Sequence, residues 1–375
     1  MATIGVPNEQ GENEFRVSIN PDGVKRLLAQ GHKVVVEKGA GEAAGALDRS
    51  YEEIGATMGG ASDAWGSEVV LTVGPVGKAK LKLLTKGAIL IGSIDPFLNL
   101  KMMDALAKAG ITAMAMEFLP RISRAQSMDT LSSQSNIAGY KAVLMAADKL
   151  PRIFPMMTTA AGTLSPARMV ILGAGVAGLQ AIATARRLGA RVEVSDIRPE
   201  TKEEVESLGG RFIEVDMEEE ETSGDGGYAR AVSDEFLARQ REILSERIAA
   251  ADAVVTTALV PGRKAPVLVS KEMVEGMKPG SVVVDMAARN GGNCELTSPG
   301  ETVVHQGVSI LGPTNIPALV PVHASQVYAR NLVTLLAHMT TEGVVGVETD
   351  DEIVGPMVVT KGGEIVESRI KEAMA

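Results

Sequence analysis

Short apolar runs alternate with segments of helical periodicity along the first third of the chain. The runs at 33–37, 68–73, 88–91 and 111–115 predict strands, and the apolar spacing at 98–109 predicts a helix. Continuous apolar runs are typical of strands that are buried on both faces. Their alternation with helices therefore predicts a parallel sheet covered by helices.

The second half of the chain repeats this alternation, and its 375 residues are enough for two domains. We expect an α/β fold with two Rossmann-like doubly wound parallel-sheet domains and a cleft between them. Residues 1–136 and 325–375 would form the first domain, and residues 137–324 the second. A helix is expected from about 137 to 150. Further strands are predicted at 169–172, 191–195, 211–214, 253–257, 281–285 and 308–311, and a terminal hairpin at 352–359 with 362–366.

A glycine-rich turn between a strand and a helix is the most informative short pattern. Gly173, Gly175 and Gly178 follow a strand, and Asp196 ends the next strand about twenty residues later. The first glycine permits a tight turn, the second lets the backbone approach a pyrophosphate, and the third allows close helix–strand packing. The free N–H groups of the helix N-terminus suit phosphates. Asp196 would bind a ribose 2′-hydroxyl, which favours NAD(H) over NADP(H), although Arg198 can serve a 2′-phosphate.

Composition narrows the classes of partner. The net charge of −10 argues against nucleic acid or anionic lipid as the main partner. No apolar run reaches the ~18–20 residues needed to span a bilayer, and the N-terminus lacks a signal-peptide pattern. We therefore expect a cytoplasmic chain with no direct membrane insertion. The single cysteine, Cys294, excludes an internal disulfide and is expected to be a small buried residue.

An acidic, glycine-rich stretch at 218–228 interrupts the second domain. Such a composition cannot bury a core, so we expect a mobile surface loop there. Tyr228 within it suggests a lid over a ligand, with a solvated insertion as the alternative.

Residues 120–136 are dense in hydrogen-bonding side chains and have little apolar periodicity. Such a segment beside a hinge is expected to face the cleft where a dinucleotide lies. Arg121 and Asp129 could pair with each other or bind a pyrophosphate and a carboxamide, and Gln126 and Ser132 offer neutral donors and acceptors. The alternative is that these residues only cap the helix that follows.

The sequence shows no obvious acid–base machinery. A conventional dehydrogenase moves a proton as well as a hydride and needs a general acid or base near its substrate. The four histidines lie in no evident cleft-lining motif, and neither metal-ligand spacing nor a nucleophile elbow is present. Direct hydride transfer between two nicotinamides would not need such a group.

At residues 121–140, 154–157, 173–185, 206–210 and 278–285 the chain resembles the NAD(H)-binding component of proton-translocating nicotinamide nucleotide transhydrogenases. The resemblance covers essentially the whole chain, and it is most specific at the first of these segments. It implies a Re/Si-specific NAD(P)⁺ transhydrogenase subunit that binds NAD(H) and exchanges hydride directly with NADP(H) on a partner subunit, coupled to proton movement. It also implies a homodimer, a membrane-spanning partner subunit, and a peripheral place on the cytoplasmic face of the inner membrane. Because no spanning helix occurs before the last residue, we expect this component to be a subunit of its own.

The resemblance also implies roles for individual residues. Gln126 would bring the two nicotinamides together, and Arg121, Asp129 and Ser132 would hold the nicotinamide end of NAD(H). Tyr228 would close over the nucleotide. The cofactor-binding residues predicted in this way are Gly173, Gly175, Val176, Ala177, Gly178, Asp196, Ile197, Arg198, Gly227, Tyr228, Thr257 and Leu259.

Two alternatives stay open. Alanine dehydrogenases share the predicted fold and resemble this chain at 14–17 and 259–266. That family uses a lysine and a histidine in its first domain, whereas residues 70–75 and 89–95 carry neither here, and Arg289 replaces an acid before a Gly-Gly pair. Losing a proton acceptor and a substrate-binding cation should cost several orders of magnitude in rate. The other alternative is a regulatory module that binds NAD without catalysis.

Overall fold

The computed structural model describes residues 1–11, 13–214, 234–259 and 262–374. By its internal contacts the chain divides into two compact units, one of Met1–Gln134 with Pro317–Ala375 and the other of Ser135–Ile316. The first boundary falls inside one long helix. That each unit is an independently folding domain stays a prediction.

The first unit is built on a parallel sheet. Its strands in the N-terminal segment are β1 (Thr3–Val6), β2 (Lys33–Glu37), β3 (Thr57–Gly59), β4 (Val69–Thr72), β5 (Ile89–Gly92) and β6 (Thr112–Ala115). They run parallel in the order β3-β2-β1-β4-β5-β6, which is a doubly wound arrangement. The helices of this segment are α1 (Pro21–Ala29), α2 (Asp48–Glu52), α3 (Ala61–Trp65), α4 (Lys78–Leu81), α5 (Leu100–Lys108) and α6 (Thr130–Lys149).

The second unit contains a hairpin and a larger sheet. Its strands are β7 (Met157–Thr159), β8 (Gly162–Leu164), β9 (Arg168–Leu172), β10 (Arg191–Ser195), β11 (Arg211–Phe212), β12 (Ala253–Thr256), β13 (Val282–Asp285), β14 (Thr302–His305) and β15 (Val308–Leu311). Strands β7 and β8 form the hairpin, and the others form the sheet β11-β10-β9-β12-β13-β15-β14, in which β14 is antiparallel. The helices are α7 (Val176–Arg187), α8 (Thr201–Ser207), α9 (Asp234–Ala250) and α10 (Lys271–Glu275).

The C-terminal segment completes the first unit. Its elements are α11 (Pro321–Met339), β16 (Thr340–Thr341), β17 (Val344–Val345), β18 (Val358–Lys361), β19 (Glu364–Ile365) and α12 (Ser368–Met374). Strand β18 adds antiparallel to β6, and β19 pairs with β18. The terminal hairpin therefore exists, but its first arm lies later than predicted because Gly355–Met357 form a turn of 3₁₀ helix.

Each main sheet is buried on both faces. The central strands β4, β12 and β13 are buried at every position. The apolar clusters around them include α11 in the first unit and α7 in the second. This sandwiching explains why the strands read as continuous apolar runs in the sequence.

One buried tyrosine attaches α11 to the carboxyl ends of two strands. The hydroxyl of Tyr328 donates to the carbonyl of Thr72 at 2.8 Å and accepts the N–H of Ser93 at 3.0 Å. Burial raises the pKa of Tyr328, so the hydroxyl keeps its proton. In the same unit, Tyr51 is also fully buried, and its hydroxyl donates to the carbonyl of Ile19 at 3.0 Å.

We predict that Tyr328→Phe destabilises the protein by about 2–4 kcal/mol, because it leaves a buried N–H and a buried carbonyl without their shared partner. Tyr51→Phe is the matched control and should cost about 1–2 kcal/mol, because one carbonyl loses its donor. Urea unfolding of both variants measures the difference. Equal losses would contradict the view that Tyr328 joins two backbone groups.

Candidate functional site

The second unit has a switch in strand connection at the centre of its sheet. Strands β9 and β12 are neighbours, and their connections lead to opposite sides of the sheet, to β10 and to β13. In doubly wound sheets, ligands bind beyond the carboxyl ends of the strands at this point. The residues after Leu172 and Thr256 are therefore the first candidates for a site.

The three glycines of the predicted motif occupy this switch point, and each has a distinct reason to be glycine. Gly173 has φ 103°, and a Cβ there would lie 2.4 Å from the Thr257 hydroxyl oxygen. A Cβ on Gly178 would lie 1.9 Å from the Gly173 carbonyl oxygen, so the first turn of α7 packs directly on the glycine turn. Among the described atoms, none lies within 4 Å of a Cβ built on Gly175. This open space is what a ligand approaching the backbone requires.

Helix α7 begins directly at the turn. Gly175 is its N-cap in an extended conformation and supplies no side-chain hydrogen bond to the first turn. Val176 is exposed and Ala177 is partly buried. The unpaired N–H groups and the positive end of the helix dipole at such a terminus suit an anionic group.

Thr257 closes the turn from the other side of the switch point. Its N–H donates to Leu172 O at 2.8 Å, and its hydroxyl lies 3.1 Å from Gly173 O. Leu259, two residues later, is exposed. The sequence marked both positions by resemblance, and the structure brings Thr257 into contact with the glycine turn.

Asp196 lies beside the same turn. Its Oδ2 accepts the N–H of Ala174 at 2.7 Å, and its Oδ1 accepts the N–H of Arg198 at 2.9 Å. The Arg198 side chain adds a bidentate ion pair, with Nε at 3.0 Å from Oδ1 and Nη2 at 2.9 Å from Oδ2. Burial by itself would raise the pKa of Asp196, but the hydrogen bonds from Arg198 and Ala174 outweigh it and hold that pKa below its ordinary value. The carboxylate is therefore ionised and firmly held, and Ile197 beside it is partly buried.

Two residues to which sequence reasoning gave no role organise the loops at this edge. Asp285 is fully buried and accepts hydrogen bonds from the side chains of Thr256 and Thr297 and from the backbone N–H groups of Ala287 and Cys294. Burial raises the pKa of the Cys294 thiol to about 11, which agrees with the expectation of a buried cysteine that is no nucleophile.

Asn293 performs the second of these roles. Its side chain donates to the carbonyls of Ala258 and Pro266, at 2.9 Å and 2.7 Å, and accepts the Ala258 N–H at 3.1 Å. The signal available in the sequence was a polar residue without an apolar neighbour pattern at the end of a buried strand. Such a residue must find hydrogen-bond partners when it is buried.

The polar segment predicted from the sequence lies in the first unit. Asp129 caps α6, since its Oδ1 accepts the Ser132 N–H at 3.0 Å, and the Ser132 hydroxyl donates to its Oδ2 at 2.5 Å. Helix α6 begins at Thr130, so the expected start near residue 137 was wrong. The capping interpretation thus holds for Asp129 and Ser132, and it leaves their proposed contact with a ligand as a prediction.

The rest of this segment is fixed to α11. Asn331 donates to Ser127 O at 2.8 Å and accepts the Ser133 hydroxyl at 2.7 Å. Gln126 lies in a 3₁₀ helix at Ser123–Met128, and its side chain is exposed, as is that of Arg121. The segment is therefore held in place through its neighbours while two of the predicted residues face outward.

The first unit has its own switch point, between β1 and β4, and a carboxyl group lies there. Glu9 accepts the N–H groups of Val73 and Gly74 at 2.7 Å and 3.0 Å. Burial raises its pKa to about 8, and these two hydrogen bonds only partly oppose the shift. Sequence reasoning did not single out Glu9, because a lone acid after a short strand carries no pattern.

The predicted residues Gly227 and Tyr228 lie outside the described residues. The catalytic set, Arg121, Gln126, Asp129 and Ser132, belongs to the first unit, and the other predicted cofactor residues belong to the second. Within the described ranges no group of three or more His, Cys, Asp or Glu side chains is arranged to hold a metal ion. In the same part of the chain, no helix is long and apolar enough to cross a membrane.

Comparison with known proteins agrees with this arrangement. Residues 5–138 match the family model "Alanine dehydrogenase/PNT, N-terminal domain", and residues 142–368 match "Alanine dehydrogenase/PNT, C-terminal domain". The chain belongs to the alanine dehydrogenase/PNT family. This confirms the resemblance stated from the sequence and the α/β fold with two Rossmann-like domains.

Within this family, two transhydrogenase relatives are more similar to the chain than a solved alanine dehydrogenase is. The chain is 46% identical to an NAD(P) transhydrogenase alpha subunit of Rhodospirillum rubrum, over 97% of each chain. A solved transhydrogenase from Sinorhizobium meliloti has 44% identity and a TM-score of 0.88, covering 97% of this chain and all of that one. A solved L-alanine dehydrogenase has 29% identity and a TM-score of 0.84, covering 99% of both chains.

We predict that Gly178→Ala and Gly175→Ala differ sharply in stability. The first places a Cβ against a backbone carbonyl and should cost about 1–3 kcal/mol or more, because the turn must shift. The second meets open space at an ordinary φ of −76° and should change stability by less than about 0.5 kcal/mol. Urea unfolding compares the two variants, and similar losses would contradict the assignment of Gly178 as the packing glycine.

Proposed function

We propose that this chain is the NAD(H)-binding component of a proton-translocating transhydrogenase that exchanges hydride directly with NADP(H) on a partner subunit. The observation that carries this proposal is the glycine turn at the switch point, with an ionised Asp196 bonded to its backbone. That arrangement supports a pyrophosphate at the N-terminus of α7 and a ribose at the acid. Similarity to transhydrogenase alpha subunits over nearly the whole chain supports the reaction class.

Direct hydride transfer would explain the residues around the proposed site. A hydride that passes between two nicotinamides needs positioning and no general acid or base. In the proposal the exposed Gln126 contacts both nicotinamides, and Arg121, Asp129 and Ser132 hold the nicotinamide end of NAD(H). The Asp129–Ser132 pair would keep these groups in one geometry when the nucleotide binds.

The alanine dehydrogenase alternative meets an obstacle at the carboxyl ends of β4 and β5. Residues 70–75 and 89–95 contain no lysine or histidine, and the N–H groups of Val73 and Gly74 bind the carboxyl of Glu9 instead. We therefore propose that the chain does not oxidise an amino acid by itself. Its partners would be the NADP(H)-binding and membrane-spanning subunits, and it would lie on the cytoplasmic face of the inner membrane through them.

We predict that the purified chain binds NADH more tightly than NADPH and transfers no hydride alone. Addition of the NADP(H)-binding subunit of a transhydrogenase should start transfer between the two nucleotides, because the acceptor lies on that subunit. Nucleotide fluorescence measures the binding, and absorbance of a nicotinamide analogue measures the transfer. Oxidation of alanine by the chain alone would instead support a dehydrogenase, and binding with no transfer to the partner would favour a regulatory module.

Two substitutions sharpen this test. Gln126→Asn should slow hydride transfer by about tenfold or more while NADH affinity stays within about twofold, since displacing a reacting group by about 1 Å can cost a hundredfold. Gln306→Asn makes the same chemical change in the turn between β14 and β15 and should alter neither quantity. Equal loss of affinity and transfer in the first variant would exclude the proposed role of Gln126.

We further propose that the chain forms a homodimer through the β7–β8 hairpin. Every residue of both strands is exposed, and large apolar side chains point outward: Met156 is 64% exposed, Met157 46% and Leu164 52%. A two-stranded hairpin is only marginally stable when nothing packs on it. Beside it lies a groove of about 760 Å³ lined by residues 150–155 and two residues of the α7 end.

The charge of this region favours a second copy as the occupant. Residues 150–164 contain one arginine and no acidic residue, whereas the whole chain carries a net charge of −10. Two copies can therefore meet at this region without the like-charge repulsion expected elsewhere on the surface. Closed two-fold dimers are the commonest homo-oligomers.

We predict that Leu164→Glu converts the dimer to a monomer at micromolar concentration, because it buries two like charges and removes an apolar contact. Val304→Glu is the control, since it makes the same charge change at an exposed apolar position of strand β14. Sedimentation equilibrium measures the mass of both variants. A monomeric wild type, or a dimer that persists in the hairpin variant, would overturn this proposal.

A further inference from the structure

The carboxylate of Asp196 has no hydrogen-bonding capacity left in this structure. Each oxygen accepts two N–H groups: Oδ1 binds the backbone N–H and Nε of Arg198, and Oδ2 binds the backbone N–H of Ala174 and Nη2 of Arg198. An ionised carboxylate offers about four lone-pair positions. A ribose hydroxyl that donates to Asp196 must therefore displace one of these donors.

Of these donors, only those of the Arg198 side chain can leave easily. The N–H of Ala174 belongs to the glycine turn, where Gly178 and Thr257 pack against Gly173. The N–H of Arg198 belongs to the chain that follows β10, and it stays two residues from the acid whatever the side chain does. The guanidinium, in contrast, lies at the end of a long side chain that is 17% exposed, whereas the Asp196 side chain is 7% exposed.

We infer that the Arg198 guanidinium competes with the adenosine ribose for Asp196, and so determines how much the 2′-hydroxyl contributes to nucleotide affinity. This inference rests on the proposed binding of NAD(H) at the glycine turn. Arg198 thereby acts as a specificity-determining residue, and its effect is opposite to that of a residue that simply contacts the ligand. When it withdraws, both carboxylate oxygens regain an acceptor position for the ribose diol.

The surroundings of Arg198 supply a second place for its charge. Besides the hydrogen bond from Asp196, which is the largest cause, the carboxylates of Glu200 and Glu204 raise the pKa of Arg198. Both belong to the region where α8 begins. A guanidinium that leaves Asp196 therefore keeps anionic neighbours, and its displacement does not strand an unpaired charge.

The test compares 5′-AMP with 2′-deoxy-5′-AMP by displacement of NADH fluorescence. The two ligands carry the same charge, so the ratio of their dissociation constants isolates the 2′-hydroxyl from any loss of positive potential. In Arg198→Gln we expect this preference for the 2′-hydroxyl to rise at least fivefold over the wild type. Arg198→Lys, which cannot form the bidentate pair, should give an intermediate ratio and covers the case in which the glutamine variant is unstable.

Lys202→Gln is the matched control. It removes one positive charge from the same segment, but the partner of Lys202 is Glu214, at 2.6 Å, and Asp196 keeps its four donors. Its ratio should equal that of the wild type. An unchanged ratio in both Arg198 variants would overturn the competition, and a lower ratio would show that Arg198 holds the ribose itself.

The failure of this inference can be distinguished from that of the proposed function. If the wild type binds NADH and 5′-AMP normally while the Arg198 variants leave the ratio unchanged, only the competition is wrong. If the wild type binds neither nucleotide, the nucleotide site itself is wrong, and the inference falls with it.

Discussion

The close packing of the glycine turn is the constraint on which the rest of the second unit depends. Helix α7 starts so near the end of β9 that a Cβ at Gly178 would overlap the Gly173 carbonyl oxygen. Thr257 packs against the same turn from β12. These contacts leave the Ala174 N–H facing the end of β10, where Asp196 accepts it. One steric requirement thus brings together a helix N-terminus and an ionised carboxylate. A pyrophosphate and a ribose need these two groups at neighbouring positions.

The parts of this arrangement that sequence could predict are those with a local cause. Strands buried on both faces must be continuous apolar runs, and a turn that excludes side chains must contain glycine, so both leave a visible pattern. The start of α6 was not predictable in this way. Its first residues are polar and lack helical periodicity, and they are stabilised by the Asp129 cap and by Asn331, about two hundred residues away in the chain. A cap can be guessed from neighbouring residues, whereas a partner on α11 cannot.

Side-chain networks between loops were also beyond the sequence. Asp285 and Asn293 connect backbone groups from separate loops at the carboxyl edge of the sheet, and their partners lie up to about thirty-five residues away. The sequence shows which polar residues end buried strands, and burial requires that they be satisfied. It does not show which backbone groups will satisfy them, because that depends on the register of several loops. The exposed β7–β8 hairpin escaped prediction for a related reason, since its apolar residues do not alternate with polar ones toward a core of this chain.

The separation of fixed from adjustable donors gives Asp196 its character. A carboxylate held by backbone N–H groups alone keeps acceptor positions open, whereas one held also by a guanidinium is saturated. In this chain the fixed donors come from the glycine turn and the backbone after β10, and the adjustable donors come from one side chain. The fixed donors keep the acid ionised and oriented before any ligand arrives, so little ordering is left for the binding step. The adjustable donors protect the charge from desolvation in the meantime. An acid that is preorganised but temporarily covered can therefore remain in a packed loop without destabilising it, and Arg198 links the stability of that loop to the affinity of the site.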